Sequence, residues 1–302
     1  MVDQSLQLEQ PGQPALLAAK RSGAWARVAK TWAPVLPFAG WMLLFLGIPA
    51  AAIAVAAFEK DNGGFTMANI NSATSGVYLD GFENSLKMAA VTAVVPAIAG
   101  GFLAYAIHTS KRPTLRRLTI TASGVFSQFG GIPLAFLFIA TIGAPTALLS
   151  GWLHNVGVSA PNLYTFTGVA LVYMYFQVPL MVLVILPAFE GLRTAWHEAA
   201  EGLGARSAQY WRYVGIPVLL PSLLGATLLL FGSALSAYAT ADALTAGTLA
   251  LTPIQIGTFL NGNVIAGQEH VGYALALGLV VIIVVVMSLY VLLQRRASRW
   301  LR

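Results

Sequence analysis

No cysteine occurs in the 302 residues, which excludes a disulfide framework and any thiolate metal centre. Ionised side chains are nearly as scarce: Asp, Glu, Lys and Arg make up 9% of the chain, against 57% hydrophobic residues. Soluble domains carry about 25% charged residues, so the deficit points to an apolar solvent. No G-x-x-x-x-G-K-[ST] phosphate loop is present, nor a Gly-Lys pair of any kind. H-E-x-x-H and G-x-S-x-G are missing too, as is a carboxylate pair set for a soluble cleft. The expectation is a chain with no catalytic residues, no metal and no cofactor of its own, and no independent enzymatic activity.

What the chain has instead is apolar runs of membrane-spanning length. A spanning helix needs about 20 mostly apolar residues, and six stretches qualify: Val35–Phe58, Ser85–Ile107, Leu118–Ile142, Tyr164–Phe189, Pro217–Thr240 and Val271–Leu293. "GGIP" interrupts the third at Gly130–Pro133 and "QVP" the fourth at Gln177–Pro179, while Pro96 lies inside the second. Such prolines are tolerated where neighbouring helices or local adjustment satisfy the freed carbonyls, and each reads as a packing kink or as a hinge. The fold class is therefore all-α, integral to a membrane, with six transmembrane helices.

Lysine and arginine set the orientation. Lys20, Arg21, Arg27 and Lys30 precede the first span; Lys111, Arg112, Arg116 and Arg117 follow the second. Arg193, Arg206 and Arg212 follow the fourth, and Arg295, Arg296, Arg299 and Arg302 end the chain. Six spans place all of these on one side, leaving Lys60 in the opposite loops and Lys87 just inside the second span. The opposite loops also carry Glu59, Asp61, Asp80, Glu83 and Glu269. By the positive-inside rule both termini are cytoplasmic. The net charge of +6 is thus a topology signal, and no nucleic-acid partner is expected. Residues 1–33 read as a cytoplasmic tail whose "PALLAAKRSGAWARVAKTW" is either an interfacial helix on anionic lipid or a loose basic flank; residues 34–296 form the transmembrane domain and 297–302 a basic tail.

One stretch does not fit a bilayer. Between Glu190 and Arg212 lie Arg193, Glu198, Glu201 and Arg206 as well, and inserting these six charges costs on the order of 15 kcal/mol. The segment stays in the cytoplasm, yet its spacing is helical. Steps of 100° put Ala195, Trp196, Ala199, Ala200 and Leu203 on one arc and Thr194, His197, Glu198 and Glu201 on the other. Gly202 and Gly204 permit a positive-φ turn, and "RSAQYWRYV" is able to form a second short helix before Pro217. The result is a helix–turn–helix elbow.

Glu198-Ala199-Ala200, then Gly204, Val214, Ile216 and Pro217, resemble the E-A-A-x3-G-x9-I-x-L-P loop of ABC-type import permeases. Valine stands for isoleucine and isoleucine for leucine, both keeping an apolar branched side chain. The resemblance covers about residues 82–295, from "FENSLKMAAVTAVV" on, with the coupling loop at 190–216. It implies a type I importer subunit with the MetI-like fold in a prokaryotic cytoplasmic membrane. It implies as partners two ATP-binding-cassette subunits carrying ATP and Mg, a second homologous permease subunit and an extracytoplasmic substrate-binding protein. In that family the elbow inserts into a cleft on the ATPase, and closure of the ATPase dimer turns the membrane domain from inward- to outward-facing. By this resemblance Glu198 pairs with a basic residue of the ATPase, Ala199 and Ala200 allow close approach, and Gly204 shapes the joint.

"FGSALSAYATADALTAG" is similar to the spermidine/putrescine permease group, which overlaps iron, phosphonate and opine permeases; "LGARS" after the motif differs from the usual sugar-permease version. An ion-coupled secondary transporter is the rival of another class, but such proteins keep ionisable residues inside their spans, and none lies centrally here. A structural or channel-forming membrane protein leaves the elbow unexplained. Gln128, Tyr173, Tyr175, Gln177, Tyr238, Thr240 and Asp242 are the least apolar groups of the spans. They either hydrogen-bond between helices or face a central path, where Asp242, near the outer end of the fifth span, attracts a cation or caps a helix.

Overall fold

A computed structural model describes residues 33–60, 63–110, 112–143, 147, 149–156, 161–262, 268 and 270–298. Twelve helices account for nearly all of them. They are α1 (Leu36–Ala56), α2 (Ala68–Ala73), α3 (Gly76–Thr109), α4 (Pro113–Gln128), α5 (Gly131–Gly143) and α6 (Ser150–Asn155). The rest are α7 (Phe166–Glu190), α8 (Thr194–Gly202), α9 (Ser207–Ser236), α10 (Ala239–Thr245), α11 (Thr252–Leu260) and α12 (Val271–Ser298). Five are long and apolar enough to cross a membrane: α1, α3, α7, α9 and α12. The pair α4 and α5 makes a sixth if counted as one span. Residues up to Val55 form one unit and those from Ala56 a second. The basic tail before residue 33 and the arginines after residue 298 lie outside the described residues.

Within the second unit α7 is the hub. Of its most apolar window 56% is buried, against 6% for α12, whose exposed Val281, Val284 and Val285 are what lipid leaves outward. α3 packs closely on α7: a Cβ on Gly100 would sit 2.6 Å from Met181 Cβ and 2.8 Å from the Val178 carbonyl oxygen. Glycine is required there because any side chain would push the two backbones apart. Pro96, Pro179 and Pro187 all lie inside continuous helices, so these prolines do not break their spans. Three buried clusters are described, one around Met88, Leu134, Tyr173 and Leu244, one around Ile107, Ile185, Leu219 and Leu230, and a smaller one around Ala57, Ala73, Val271 and Leu275.

Three expectations need correction. The third span is not one helix: α4 and α5 meet at a 100° bend. Gly130 is extended and Gly131 has φ +72°, so the two glycines of "GGIP" turn the chain sharply, and Pro133 sits in the first turn of the helix that follows. The second short helix of the elbow is not separate from the fifth span. It is the beginning of α9, which runs through a π-helical turn at Trp211–Gly215. Ile216 N–H closes the last π bond, to the Trp211 carbonyl, so the change of register falls next to Pro217, which has no N–H to give. Finally, the fifth span stops at Ser236, where Ala237 turns extended (ψ 98°). Tyr238, Thr240 and Asp242 therefore belong to the break and to α10, not to the span end.

The second span also begins earlier than its apolar run, at Gly76. Lys87 and Glu83 pair at 2.5 Å one turn apart on its exposed face, which lets a charged first stretch stay helical. Here α11 and its flanks close over the start of α3. Ser85 Oγ accepts from Thr252 N–H at 2.8 Å, and Gln255 Nε2 donates to the Val77 carbonyl at 2.8 Å.

Candidate functional site

The elbow is built from α8, a tight turn and the start of α9. α8 ends because Gly204 takes φ +77°. The N–H of Gly204 donates to the Glu201 carbonyl at 2.8 Å, and that of Ala205 reaches back to Ala200 at 3.0 Å. This pair of bonds is the Schellman closure, with glycine at the left-handed position. The three residues between Ala200 and Gly204 are what the closure requires, so the spacing of the motif is a statement about hydrogen-bond geometry. On the far side Gln209 Oε1 accepts from Arg206 N–H at 2.7 Å, fixing the start of α9 one residue after the turn.

Glu198, Ala199 and Gly204 are exposed and Ala200 is half-buried. Leu203 is 88% exposed and Trp196 37%, so the apolar arc of α8 faces away from the chain while His197 turns inward. Val214 and Pro217 are half-buried and Ile216 is exposed, below the elbow. Arg193 lies over the Trp196 ring at 5.8 Å and Arg212 over Tyr213 at 5.8 Å, so both stay within the chain.

Composition and periodicity did not reveal the inner side of the elbow. His197 Nε2 is 3.2 Å from Glu201 Oε1, and its ring meets Tyr210 edge-on at 4.7 Å. Trp211 packs edge-on against Tyr105 of α3 at 5.2 Å, and Tyr105 lies 6.0 Å from Phe189 of α7. Arg116 of α4 pairs with Glu190 at the end of α7. The ends of α3 and α7, the start of α4 and the elbow are thus gathered in one place. The aromatic residues "YWRY" were visible, but which helix they met depended on tertiary packing.

The polar residues singled out along the spans do not converge. Tyr173 and Gln177 are buried and bridge α7 to α9. The Tyr173 hydroxyl donates to the Ala237 carbonyl at 2.6 Å, and Gln177 Nε2 donates to Leu230 at 2.9 Å. Ala237 sits at the break, where its carbonyl has lost its helical partner; the tyrosine replaces it. These two residues hold helices together in this conformation, and Tyr173 also lines a small cavity with Ser85, Met88, Ala234 and Leu251. Tyr175 packs between Phe126 and Phe138 at the bend, tilted against the first and edge-on to the second. Gln128 is exposed at the end of α4. Asp242 is half-buried in the first turn of α10 and accepts from the Tyr238 hydroxyl at 3.2 Å. Thr240 Oγ1 accepts from Gly131 N–H at 2.9 Å and donates to the Gly131 carbonyl at 3.3 Å, tying α10 to the bend.

The family model of binding-protein-dependent transport system inner membrane components matches residues 96–299, which contain the elbow, the hub helix and the break. The chain belongs to this family. It is a multi-pass permease subunit of an ABC importer of the inner-membrane type, with the MetI-like fold. Among curated proteins, the spermidine/putrescine permease PotB of Haemophilus influenzae is 26% identical over 279 residues, covering 86% of this chain and 91% of its own. The trehalose permease SugB of Mycobacterium tuberculosis is 28% identical over 214 residues, covering 70% and 71%. Among solved structures, a bacterial ABC transporter that imports alginate superposes with a TM-score of 0.70 at 17% identity, covering 90% of this chain and 98% of that one. At that identity the superposition speaks for the fold alone.

Proposed function

We propose that this permease carries a small cationic solute of the polyamine type inward, powered by ATP and Mg held on two partner ATPase subunits. Its other partners in this reading are a second homologous permease subunit and an extracytoplasmic binding protein. Both of its termini face the cytoplasm. Glu198, Ala199, Ala200 and Gly204 form the coupling joint, supported from below by Val214, Ile216 and Pro217. The observation that carries this reading is the elbow: a short helix clamped by two backbone bonds at Gly204, its apolar arc and Glu198 turned outward, its His197 packed on Tyr210 at the start of α9. A clamped helix transmits displacement; a slack loop absorbs it. A carboxylate and small side chains on the exposed face suit a basic, close-fitting cleft.

The polyamine assignment rests on the PotB relatives and on the lone acidic group of the α10 region, Asp242 beside Tyr238. A carboxylate and an aromatic ring together attract organic ammonium groups. A neutral sugar is the second reading, favoured by the match to SugB. Calorimetry on the cognate binding protein separates them. Binding of spermidine or putrescine with no response to trehalose is the expected result, and the reverse overturns the polyamine assignment. Co-purification of an ATPase with the permease, lost on Glu198→Arg, tests the joint itself.

A further inference from the structure

We infer that Trp211, seated on Gly215, is the positioning residue that carries motion of the elbow into α3 and α7. The inference rests on the coupling role proposed above and adds the route by which that role reaches the membrane helices. His197 of α8 meets Tyr210 at 4.7 Å and 76°, Tyr210 meets Trp211 at 5.7 Å and 77°, and Trp211 meets Tyr105 at 5.2 Å and 89°. Tyr105 in turn lies 6.0 Å from Phe189, and His108 lies 6.1 Å from it. The rings form an unbroken ladder from the elbow across α3 to the last turn of α7, spanning segments nearly a hundred residues apart in sequence.

Three features make Trp211 the rung that matters. It opens the π-helical turn Trp211–Gly215, and such single turns recur where helices are adapted to function. Its six-membered ring lies along its own helix, so close to Gly215 that a Cβ there would fall 2.5 Å from Trp211 Cε3; only glycine leaves the seat. Half-buried, it also packs against the cluster containing Ile107, Ile185 and Leu219, which restrains its ring. Aromatic rings have few rotatable bonds and edge-to-face pairs resist sliding, so a push on α8 is passed to Tyr105 as a displacement, not dissipated in rotamer changes. By contrast the apolar arc of α8 is mostly exposed, with Trp196 met by its own neighbour Arg193 and Leu203 open, and nothing described lies within 4 Å of a Cβ at Gly204. The ladder joins the elbow to the body through side chains that neither the motif residues nor the turn supply.

The native chain has no cysteine, so spin labels on Ser207→Cys and Leu260→Cys report the position of the elbow against the far end of the helices. The pair is measured in the assembled complex with its ATPase, nucleotide-free and trapped with ATP and vanadate. The expected result is one narrow distance that shifts on trapping. In Trp211→Ala and in Tyr105→Leu the distribution broadens and the shift is lost, while Trp211→Phe restores both. Hydrolysis of ATP and crosslinking of Glu198→Cys to the ATPase persist in every variant. A wild-type shift in Trp211→Ala, or no rescue by phenylalanine, overturns the inference. Failure of Glu198→Cys to reach the ATPase in the otherwise native chain sinks the coupling reading instead. The ladder then stands or falls on the width of the distance in the isolated permease, native against Trp211→Ala.

Discussion

Valine at position 204 is the sharpest perturbation of the elbow. The residue sits at φ +77°, where a Cβ costs about 1–2 kcal/mol and branching adds to it. Leaving that region also breaks the bonds from Gly204 to Glu201 and from Ala205 to Ala200, each worth about 0.5–1.5 kcal/mol. The total, about 2–5 kcal/mol, depopulates the bent elbow by about 30-fold or more. The cost is conformational and not steric, because nothing lies within 4 Å of the position a Cβ would take. The membrane helices should therefore insert and melt as before. In proteoliposomes containing the permease, its ATPase, its binding protein and spermidine, Gly204→Val should lose transport about tenfold or more while ATP hydrolysis continues. Asparagine, which tolerates left-handed backbone, should lie nearest glycine, with alanine between asparagine and valine. Transport by Gly204→Val at the native rate, or asparagine as damaging as valine, would refute the argument from backbone conformation.

Other expectations follow from individual contacts. Tyr173→Phe strands the Ala237 carbonyl at the break, a loss of about 1–3 kcal/mol that should lower the melting temperature in detergent. Gln177→Leu should differ by under about 1 kcal/mol in the same assay, because Gln177 Oε1 is already unpartnered and the Leu230 carbonyl keeps its place in the helix. Gly100→Ala should cost about 1–3 kcal/mol, since Met181 and the Val178 carbonyl oxygen lie inside contact distance of the new Cβ; native stability there would show that α3 and α7 separate easily. Neutralising either Arg116 or Glu190 should change stability by no more than about 1 kcal/mol, and less in high salt, because both partners of this pair are more than two-fifths exposed.

Span existence was legible because it needs only length and hydropathy: Phe166–Glu190 and Val271–Ser298 begin within two residues of their apolar runs. The elbow was legible because charge and glycine stand out against an apolar background, and Gly204 occupies the left-handed position its spacing implied. The breaks were not. "GGIP" marked an interruption of the third run but not the 100° bend, and nothing around Ala237 marked the stop at Ser236; in a membrane protein the interior is as apolar as the surroundings, so periodicity does not say where a helix turns inside the bilayer. The same degeneracy hid the roles of Tyr173 and Gln177. A polar side chain among apolar ones signals a need for a partner, but the partners were backbone carbonyls, which every residue carries. The ladder from His197 to Phe189 was invisible for a related reason: its rungs come from four helices, and nothing local pairs them.

The threonine at position 240 has a consequence of its own. Its single oxygen accepts a hydrogen bond from the N–H of Gly131 and donates one to the carbonyl of the same residue, so two interrupted helices are indexed to each other by one atom. An amide could serve both groups only with atoms set apart, and a methyl of identical size could serve neither. Valine would fill the space perfectly and still leave the two pieces free to slip past one another, which makes this hydroxyl a latch for the fractured middle of the protein.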